Sequence, residues 1–370
     1  MKKSETSIRL FSAFIVLIIA QCSAPVSNCF AQARKYSNEF LSIGVGARAL
    51  AMSNAQVSTV DDATAGFWNP AGLVNVKGNL QIAAMHASYF AGVANYEFGS
   101  IAIPGASSTI GISMIRFGVD DIPNTLELYG PDGMINYDRV KPFSEADYAF
   151  YFSYARKSKI EGLTYGGNAK VIHHKAGDFA TAWGFGFDLG AQYRKNKWSF
   201  GVLGKDVTST FNAWSFNTDQ FADVFAATNN EIPKNSLEVT LPKLIPGVAY
   251  TEDLSAKFKL TGAADFDVTF DGQRNVVISS DPISVDPHMG FELAYDQFIF
   301  LRGGVGNIQK VKELSGSKST IAQPNVGVGI KLKNLTVDYA LTYLGSTTES
   351  LGAVYSNIFS LKLDIYKRTK

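Results

Sequence analysis

Residues 183–194 read Trp183-Gly184-Phe185-Gly186-Phe187-Asp188-Leu189-Gly190-Ala191-Gln192-Tyr193-Arg194. Successive side chains of a β-strand point to opposite faces. One face of this stretch is therefore Trp183, Phe185, Phe187, Leu189, Ala191 and Tyr193, and the other is Gly184, Gly186, Asp188, Gly190, Gln192 and Arg194. Such a strand needs an apolar medium or a core on one side and water or polar groups on the other. The pattern recurs down the chain. Leu335, Val337, Tyr339, Leu341 and Tyr343 oppose Thr336, Asp338, Ala340 and Thr342, and Phe359, Leu361, Leu363 and Ile365 oppose Ser360, Lys362 and Asp364. About fourteen such runs between residues 78 and 370, each followed by a turn, predict an all-β fold: a transmembrane antiparallel β-barrel.

The N-terminus supports secretion. Lys2, Lys3 and Arg9 precede the short apolar run Leu10 to Ala20, and Ala31-Gln32-Ala33 offers small residues to a signal peptidase. The division expected is a signal peptide over 1–33, an N-terminal segment over 34–77 and a barrel over 78–370. Ile19-Ala20-Gln21-Cys22 resembles a lipid-attachment box, although Gln21 is a poor residue before a modified cysteine. Cys22 and Cys29 both precede the cut, so the mature chain has no disulfide framework and no thiolate metal site. The 34 Lys and Arg nearly balance the 33 Asp and Glu, which leaves no basic footprint for nucleic acid. Downstream of residue 33 no apolar run approaches the roughly 20 residues of a membrane helix. A closed sheet satisfies every backbone group within a membrane without one. The expected location is a Gram-negative outer membrane, with its lipid around the barrel.

The strands expected run over 78–90, 93–103, 107–118, 144–157, 161–174, 181–195, 197–206, 243–252, 256–270, 286–295, 297–307, 321–333, 334–345 and 354–366. Connections sort by parity. Those at Pro104-Gly105, Lys157, Lys195-Asn196-Lys197, Asp253, Asp296 and Asn334 are tight, whereas 118–143, 207–242, 271–285 and 308–320 are long. Outer-membrane barrels keep short turns in the periplasm and longer loops outside. A soluble all-β sandwich has no reason to sort its loops this way.

Residues 35–77 lack sustained alternation. They are rich in Gly and Ala, and Asp61 or Asp62 is placed to cap a short helix that Asn69-Pro70 should end. Their apolar content (Phe40, Leu41, Ile43, Val45, Leu50, Met52, Phe67, Trp68, Leu73) argues against a dangling tail. A plug, or hatch, inside the barrel is the expected form.

At these residues the chain resembles a known family. Phe40-Leu41-Ser42-Ile43-Gly44-Val45-Gly46-Ala47-Arg48-Ala49-Leu50-Ala51-Met52 is followed by Asp61-Asp62-Ala63-Thr64 and by Phe67-Trp68-Asn69-Pro70-Ala71-Gly72-Leu73. This series looks like the opening of the PorV/PorQ proteins of the type IX secretion system, which share the FadL-like barrel. The residues carrying the likeness are Gly44, Gly46, Arg48, Asp61, Asp62, Asn69, Pro70 and Gly72. The resemblance implies a FadL-like fold with a hatch and a non-enzymatic role in cargo shuttling or attachment. Its partners would be type IX secretion components and sorting-domain cargo proteins. The FadL branch instead admits hydrophobic small molecules, which is the alternative function. Lys367-Arg368-Thr369-Lys370 follows Tyr366, the expected strand end, where barrels of this kind often finish on an aromatic residue.

No catalytic, metal or cofactor site is expected. His173 and His174 are neighbours on one strand, so their rings cannot share a metal, and His86 and His288 lack ligand spacing. Asp61-Asp62 and Asp120-Asp121 come with no nucleophile or third ligand and read as a helix cap and a solvated loop. The candidate contact surface is the loop 207–242, with Phe211, Trp214, Phe216, Phe221, Phe225 and Ile232. Those aromatics suit a partner surface, or they fold over the barrel mouth, or they rest at the headgroup level.

Overall fold

A computed structural model describes residues 37–130, 132–312, 318–343 and 355–367. The expected signal peptide, with its Cys22 box, lies outside the described residues. Strands are β1 (Leu80–Tyr89), β2 (Ala94–Pro104), β3 (Ser108–Asn124), β4 (Lys141–Lys157), β5 (Leu163–Ala176), β6 (Ala180–Lys195), β7 (Trp198–Lys205), β8 (Thr210–Phe216) and β9 (Ser236–Thr240). They continue as β10 (Lys243–Asp253), β11 (Phe258–Thr269), β12 (Ile278–Ser279), β13 (Ser284–Tyr295), β14 (Ile299–Lys312), β15 (Lys318–Leu332), β16 (Leu335–Tyr343) and β17 (Tyr355–Ile365). All pairings are antiparallel, and β17 returns to pair with β1, so the sheet closes.

The closed barrel has fourteen staves, because two of them are interrupted. β6 pairs with β7 over Leu189–Lys195 and with β8 over Ala180–Phe185. β7 and β8 are therefore one stave broken by the insertion Asp206–Ser209, where Asp206 and Ser209 both have positive φ. β9 and β10 form the next stave along β8 and β7. β12 is a two-residue addition against the outer end of β13. The expected loop 207–242 is thus wall at both ends, and its free part is 217–235. Likewise β3 and β4 extend to Asn124 and Lys141, shortening the loop expected at 118–143 to 125–140.

The alternation behaves as the pattern demands. Trp183 is 59 % exposed on the outer face, as are Phe185, Phe187 and Leu189, while Gly184, Gly186, Asp188, Gly190 and Gln192 are buried inside. Aromatic pairs mark the rim at the tight turns: Trp198 stacks on Phe200 and meets Tyr250, and Phe258 meets Tyr295. At that rim all six links between staves have five residues or fewer. Every long connection lies at the opposite rim.

Residues 37–79 fill the lumen. Short helices at Ala47–Ala51 and Ala65–Trp68 alternate with 3-10 turns at Glu39–Ser42 and Pro70–Asn75. No such piece is long enough to be stable alone. Its apolar side chains form one core with the wall: Phe40, Leu50, Phe67 and Leu73 pack with Met85, Tyr96, Ile115 and Tyr151.

Candidate functional site: the hatch and the cavity above it

The family-like residues are the ones that shape and fasten the hatch. Gly44 has φ +100°, and a Cβ there would lie 2.8 Å from both Asn54 Oδ1 and a Trp68 ring carbon. Gly46, at φ +86°, donates its N–H to Met85 Sδ at 2.9 Å. Asn69 ends the Ala65–Trp68 helix in an extended conformation, as expected. Its Oδ1 accepts from the Ala71 N–H while its Nδ2 donates to the carbonyls of Val57 (2.9 Å) and Ala191 (3.1 Å). Pro70 then opens the next turn, where its fixed φ is no handicap and no N–H is needed. Gly72 packs so closely on the Val60 carbonyl that a Cβ has no room.

Asp62 has a different role from the helix cap expected. Thr64 is the N-cap residue and makes no side-chain cap bond. Asp62 instead turns back on Thr64, accepting its N–H at 3.0 Å, and binds Lys362 Nζ of β17 at 2.9 Å. Burial alone would raise the Asp62 carboxyl; the Lys362 charge and the Thr64 hydrogen bond outweigh it and hold the group well below the usual carboxylate range. A lowered folded pKa gives stabilisation that is complete at neutral pH, begins to fall as pH drops past the unfolded value and is gone only below the folded one. Lys362→Met should therefore lower the melting temperature at pH 7, and the gap from wild type should close only below about pH 4. Melts followed by heat-modifiable gel mobility check this.

Arg48 reaches the wall directly. Its Nε lies 2.9 Å from Glu292 Oε2 on β13, the same oxygen that Arg302 on β14 approaches at 2.7 Å. Arg302 also pairs with Asp338 on β16 at 2.7 Å. Asp265 of β11 accepts from the backbone N–H groups of Gln56 (2.6 Å) and Val57 (2.7 Å). Small wall residues admit the hatch backbone: a Cβ on Gly290 would stand 2.5 Å from the Met52 carbonyl oxygen, and one on Gly327 2.5 Å from Ala51 Cβ. The same holds for Gly190 against Asn69, whereas Gly184 and Gly186 face Asn212 and Thr210 of the wall.

At the break between β7 and β8, Lys170 lies fully buried with Asp188 Oδ1 at 2.8 Å and Asp206 Oδ1 at 2.5 Å. Asp206 also takes a bond from Thr210. This triad ties the inserted turn to β6 and, beyond it, to β5, the two staves on one side of the break.

Above the hatch, towards the long-loop rim, lies a cavity of about 610 Å³. Its apolar surface includes Leu41, Ile43, Phe67, Trp68, Phe90 and Ile245. Lys205 donates to the Leu41 carbonyl at 2.9 Å and lies 4.7 Å above the Phe67 ring. Lys243 pairs with Asp267 at 2.7 Å. None of these wall charges was singled out from sequence. Each did stand on the polar side of an alternating strand.

The remaining candidates separate. His173 stacks outward on Trp183 at 4.2 Å; His174 points inward, to Asp147 Oδ1 (2.5 Å) and Asn38 Oδ1 (3.1 Å). Asp120-Asp121 is not in a loop. It occupies a bulge of β3, with Asp120 3.9 Å from Arg116. Phe211 is exposed on the outer face of β8. Trp214 stacks inside on His174 and donates to Glu238 at 2.8 Å, and Phe216 stacks on Trp214. Phe221 is only 6 % exposed, against Phe225 and Phe179. The five aromatics thus form no single exposed patch. The exposed apolar side chains at this rim include Tyr129, Met134, Ile135 and Tyr137 of the 125–140 connection.

Among solved structures, the monoaromatic hydrocarbon channel CymD matches at 13 % identity over 88 % of this chain and 99 % of its own, with a TM-score of 0.56. The Pseudomonas putida toluene transporter TodX matches at 10 % identity, over 86 % and 96 %, with a TM-score of 0.53. A Pseudomonas aeruginosa FadL homologue matches at 10 %, over 86 % and 97 %, with a TM-score of 0.50. The protein is a fourteen-stranded barrel of the FadL type. No family model and no curated protein sequence matches the chain, so the likeness to PorV/PorQ rests on the N-terminal residues themselves.

Proposed function

We propose that this protein spans the outer membrane as a non-enzymatic, FadL-like channel that receives a small hydrophobic or amphipathic molecule at its outer mouth. The observation that carries this reading is the cavity of about 610 Å³ resting on the hatch, within the size range of small-molecule sites. The channels that share its fold support the same class of solute. The outward apolar faces and the aromatic rim at the tight turns suit a lipid surround.

A second reading, a cargo-shuttling or attachment component of type IX secretion, is favoured by the family-like hatch residues and by Tyr129, Met134, Ile135 and Tyr137, the last 77 % exposed. A rim that presents aromatic and methionine side chains suits a protein partner. One comparison separates the two. A strain lacking the protein should take up a panel of small apolar and amphipathic solutes more slowly while surface display of sorting-domain proteins is unchanged. Lost display with unaltered uptake would establish the secretion reading instead.

Both readings place the long connections outside the cell. Protease added to intact cells is expected to cut within 125–140 or 217–235 and to spare the turn at Asn196-Lys197. Cleavage only after cells are broken would reverse the topology.

A further inference from the structure

The outer face of the barrel carries an ionisable pair at membrane depth. His86 of β1 and Glu97 of β2 stand directly opposite each other, and His86 Nδ1 meets Glu97 Oε1 at 2.8 Å. Both point away from the lumen, with side chains 54 % and 43 % exposed. A strand needs about 9–11 residues to cross a membrane at the usual tilt, and β1 and β2 have 10 and 11. His86 is the seventh residue of β1 and Glu97 the fourth of β2, so both lie inside the span. Arg156, Lys175 and Glu252 also face outward, but each stands one residue from the end of its strand, within reach of headgroups and water. Arg116 of β3, opposite Glu97, leans over Gly118 towards Asp120, 3.9 Å away and nearer the long-loop rim. His86 and Glu97 are left in the band with each other.

Ionisable groups within membranes are costly when they face hydrocarbon, and they normally face protein or water. The surface beside this pair is shaped for close approach. Ala84 and Gly99 stand opposite each other one step nearer the tight turns, and a Cβ on Gly99 would meet nothing within 4 Å. Small residues let membrane-embedded surfaces come together while polar side chains bond across them. The charges indicate which surface covers this one. A phosphate headgroup needs surplus cations, but His86 is matched by Glu97, and Arg116 turns to Asp120. The patch instead places a donor and an acceptor side by side. A two-fold axis along the membrane normal, passing between β1 and β2, sets each His86 against the other copy's Glu97. Such self-complementarity is what an isologous interface requires.

We propose that the outer flank of β1 and β2 is a dimer interface between two copies of this chain, closed within the membrane by reciprocal His86–Glu97 contacts over the Ala84–Gly99 pair. It concerns the outer face alone and holds whatever the long-loop rim receives.

The test is cross-linking of the full chain in intact outer membranes, with folding followed by heat-modifiable mobility. Ala84→Cys, treated with a short thiol-to-thiol cross-linker, is expected to give a product of twice the chain mass. The unsubstituted chain should give none, and neither should Leu244→Cys, which faces outward from β10 on the opposite side of the ring. Added to Ala84→Cys, either Glu97→Arg or His86→Glu sets like groups against each other and should cut the yield about tenfold or more. Co-expressed, these two variants should recover a mixed dimer, because each supplies what the other lacks. Glu97→Gln, which adds no charge, should give a smaller loss in the same direction. Absence of a dimer from a folded Ala84→Cys barrel overturns the proposal, as does a yield indifferent to the charge changes or a mixture that fails to recover. A product containing a different protein assigns the flank to another partner. Lipid A retained without any dimer, and retained more strongly by Glu97→Arg, assigns it to a headgroup; both results overturn the second copy.

Discussion

Removing residues 37–76 is expected to turn a closed barrel into a conducting pore. The staves need nothing from the hatch for their ladder hydrogen bonds, since each pairs with its neighbours and β17 closes on β1. The hatch supplies the lumen filling. Without it, the inward faces around Gly111, Gly166, Gly290 and Gly327 have little bulk to replace it. Single-channel conductance in planar bilayers should rise by more than about tenfold in a barrel of this width. Heat-modifiable mobility confirms that the barrel has formed. Gly290→Leu offers an independent route, because its side chain must displace the Met52 backbone. Unchanged conductance in a correctly folded barrel would mean that these residues do not close it.

Glu292→Ala is expected to be the most damaging single substitution between hatch and wall. One carboxylate oxygen serves Arg48 and Arg302, and their side chains are 19 % and 2 % exposed. Truncating the acid leaves two cations facing each other, Arg302 with Asp338 and Arg48 with only the neutral Gln56 Oε1 in hydrogen-bond reach. Breaking a buried ion pair from one side costs about 3–5 kcal/mol. Urea unfolding in lipid vesicles should show that loss for Glu292→Ala. The double variant Arg48→Met, Glu292→Ala should recover part of it, because removing both partners leaves fewer stranded charges. A cost under about 1 kcal/mol would reduce the contact to the worth of a surface pair.

Much of this architecture was legible from alternation alone. Trp183, Phe185, Phe187 and Leu189 face outward and Gly184, Gly186, Asp188 and Gly190 inward, as period two requires. The parity of the connections survives for three of the four expected long links, whereas the one expected at 308–320 is taken up by β14 and β15, which run to Lys312 and from Lys318. What alternation could not reveal was continuity across an interruption. Asp206–Ser209 break the seventh stave, so Thr210–Phe216 read as loop, although Phe211 and Ala213 keep to one face and Asn212 and Trp214 to the other. Aromatics on both faces hid that signal. Nor could the sequence alone join Arg48 to Glu292 or Asp62 to Lys362, which lie 244 and 300 positions apart. Only the fold brings them together. The hatch motif was visible as a motif, while its chemistry depended on those distant partners. Asp62 was misread as a cap because its local spacing suits one, and Lys362 could not be seen from there.

The contacts at the barrel's closing edge bear on the order in which the molecule can be assembled. Gln81 of β1 donates to Asp364 of β17 across that edge at 2.5 Å, and takes the Ala63 N–H of the hatch on its other end at 2.6 Å. Ala47 donates to Ser360, and Asp62 holds Lys362, both on β17. The segment made early in synthesis thus buckles together the first stave and the last. It has to wait, unfastened on that side, until the final residues arrive. Contacts so far apart in the chain form slowly, because the long intervening loop must first be ordered. A chain released before residue 360 would carry a hatch with its Ala47 and Asp62 anchors unmet, and its ring would have an open first stave. Completion of the last strand is therefore the step that commits both the plug and the ring at once.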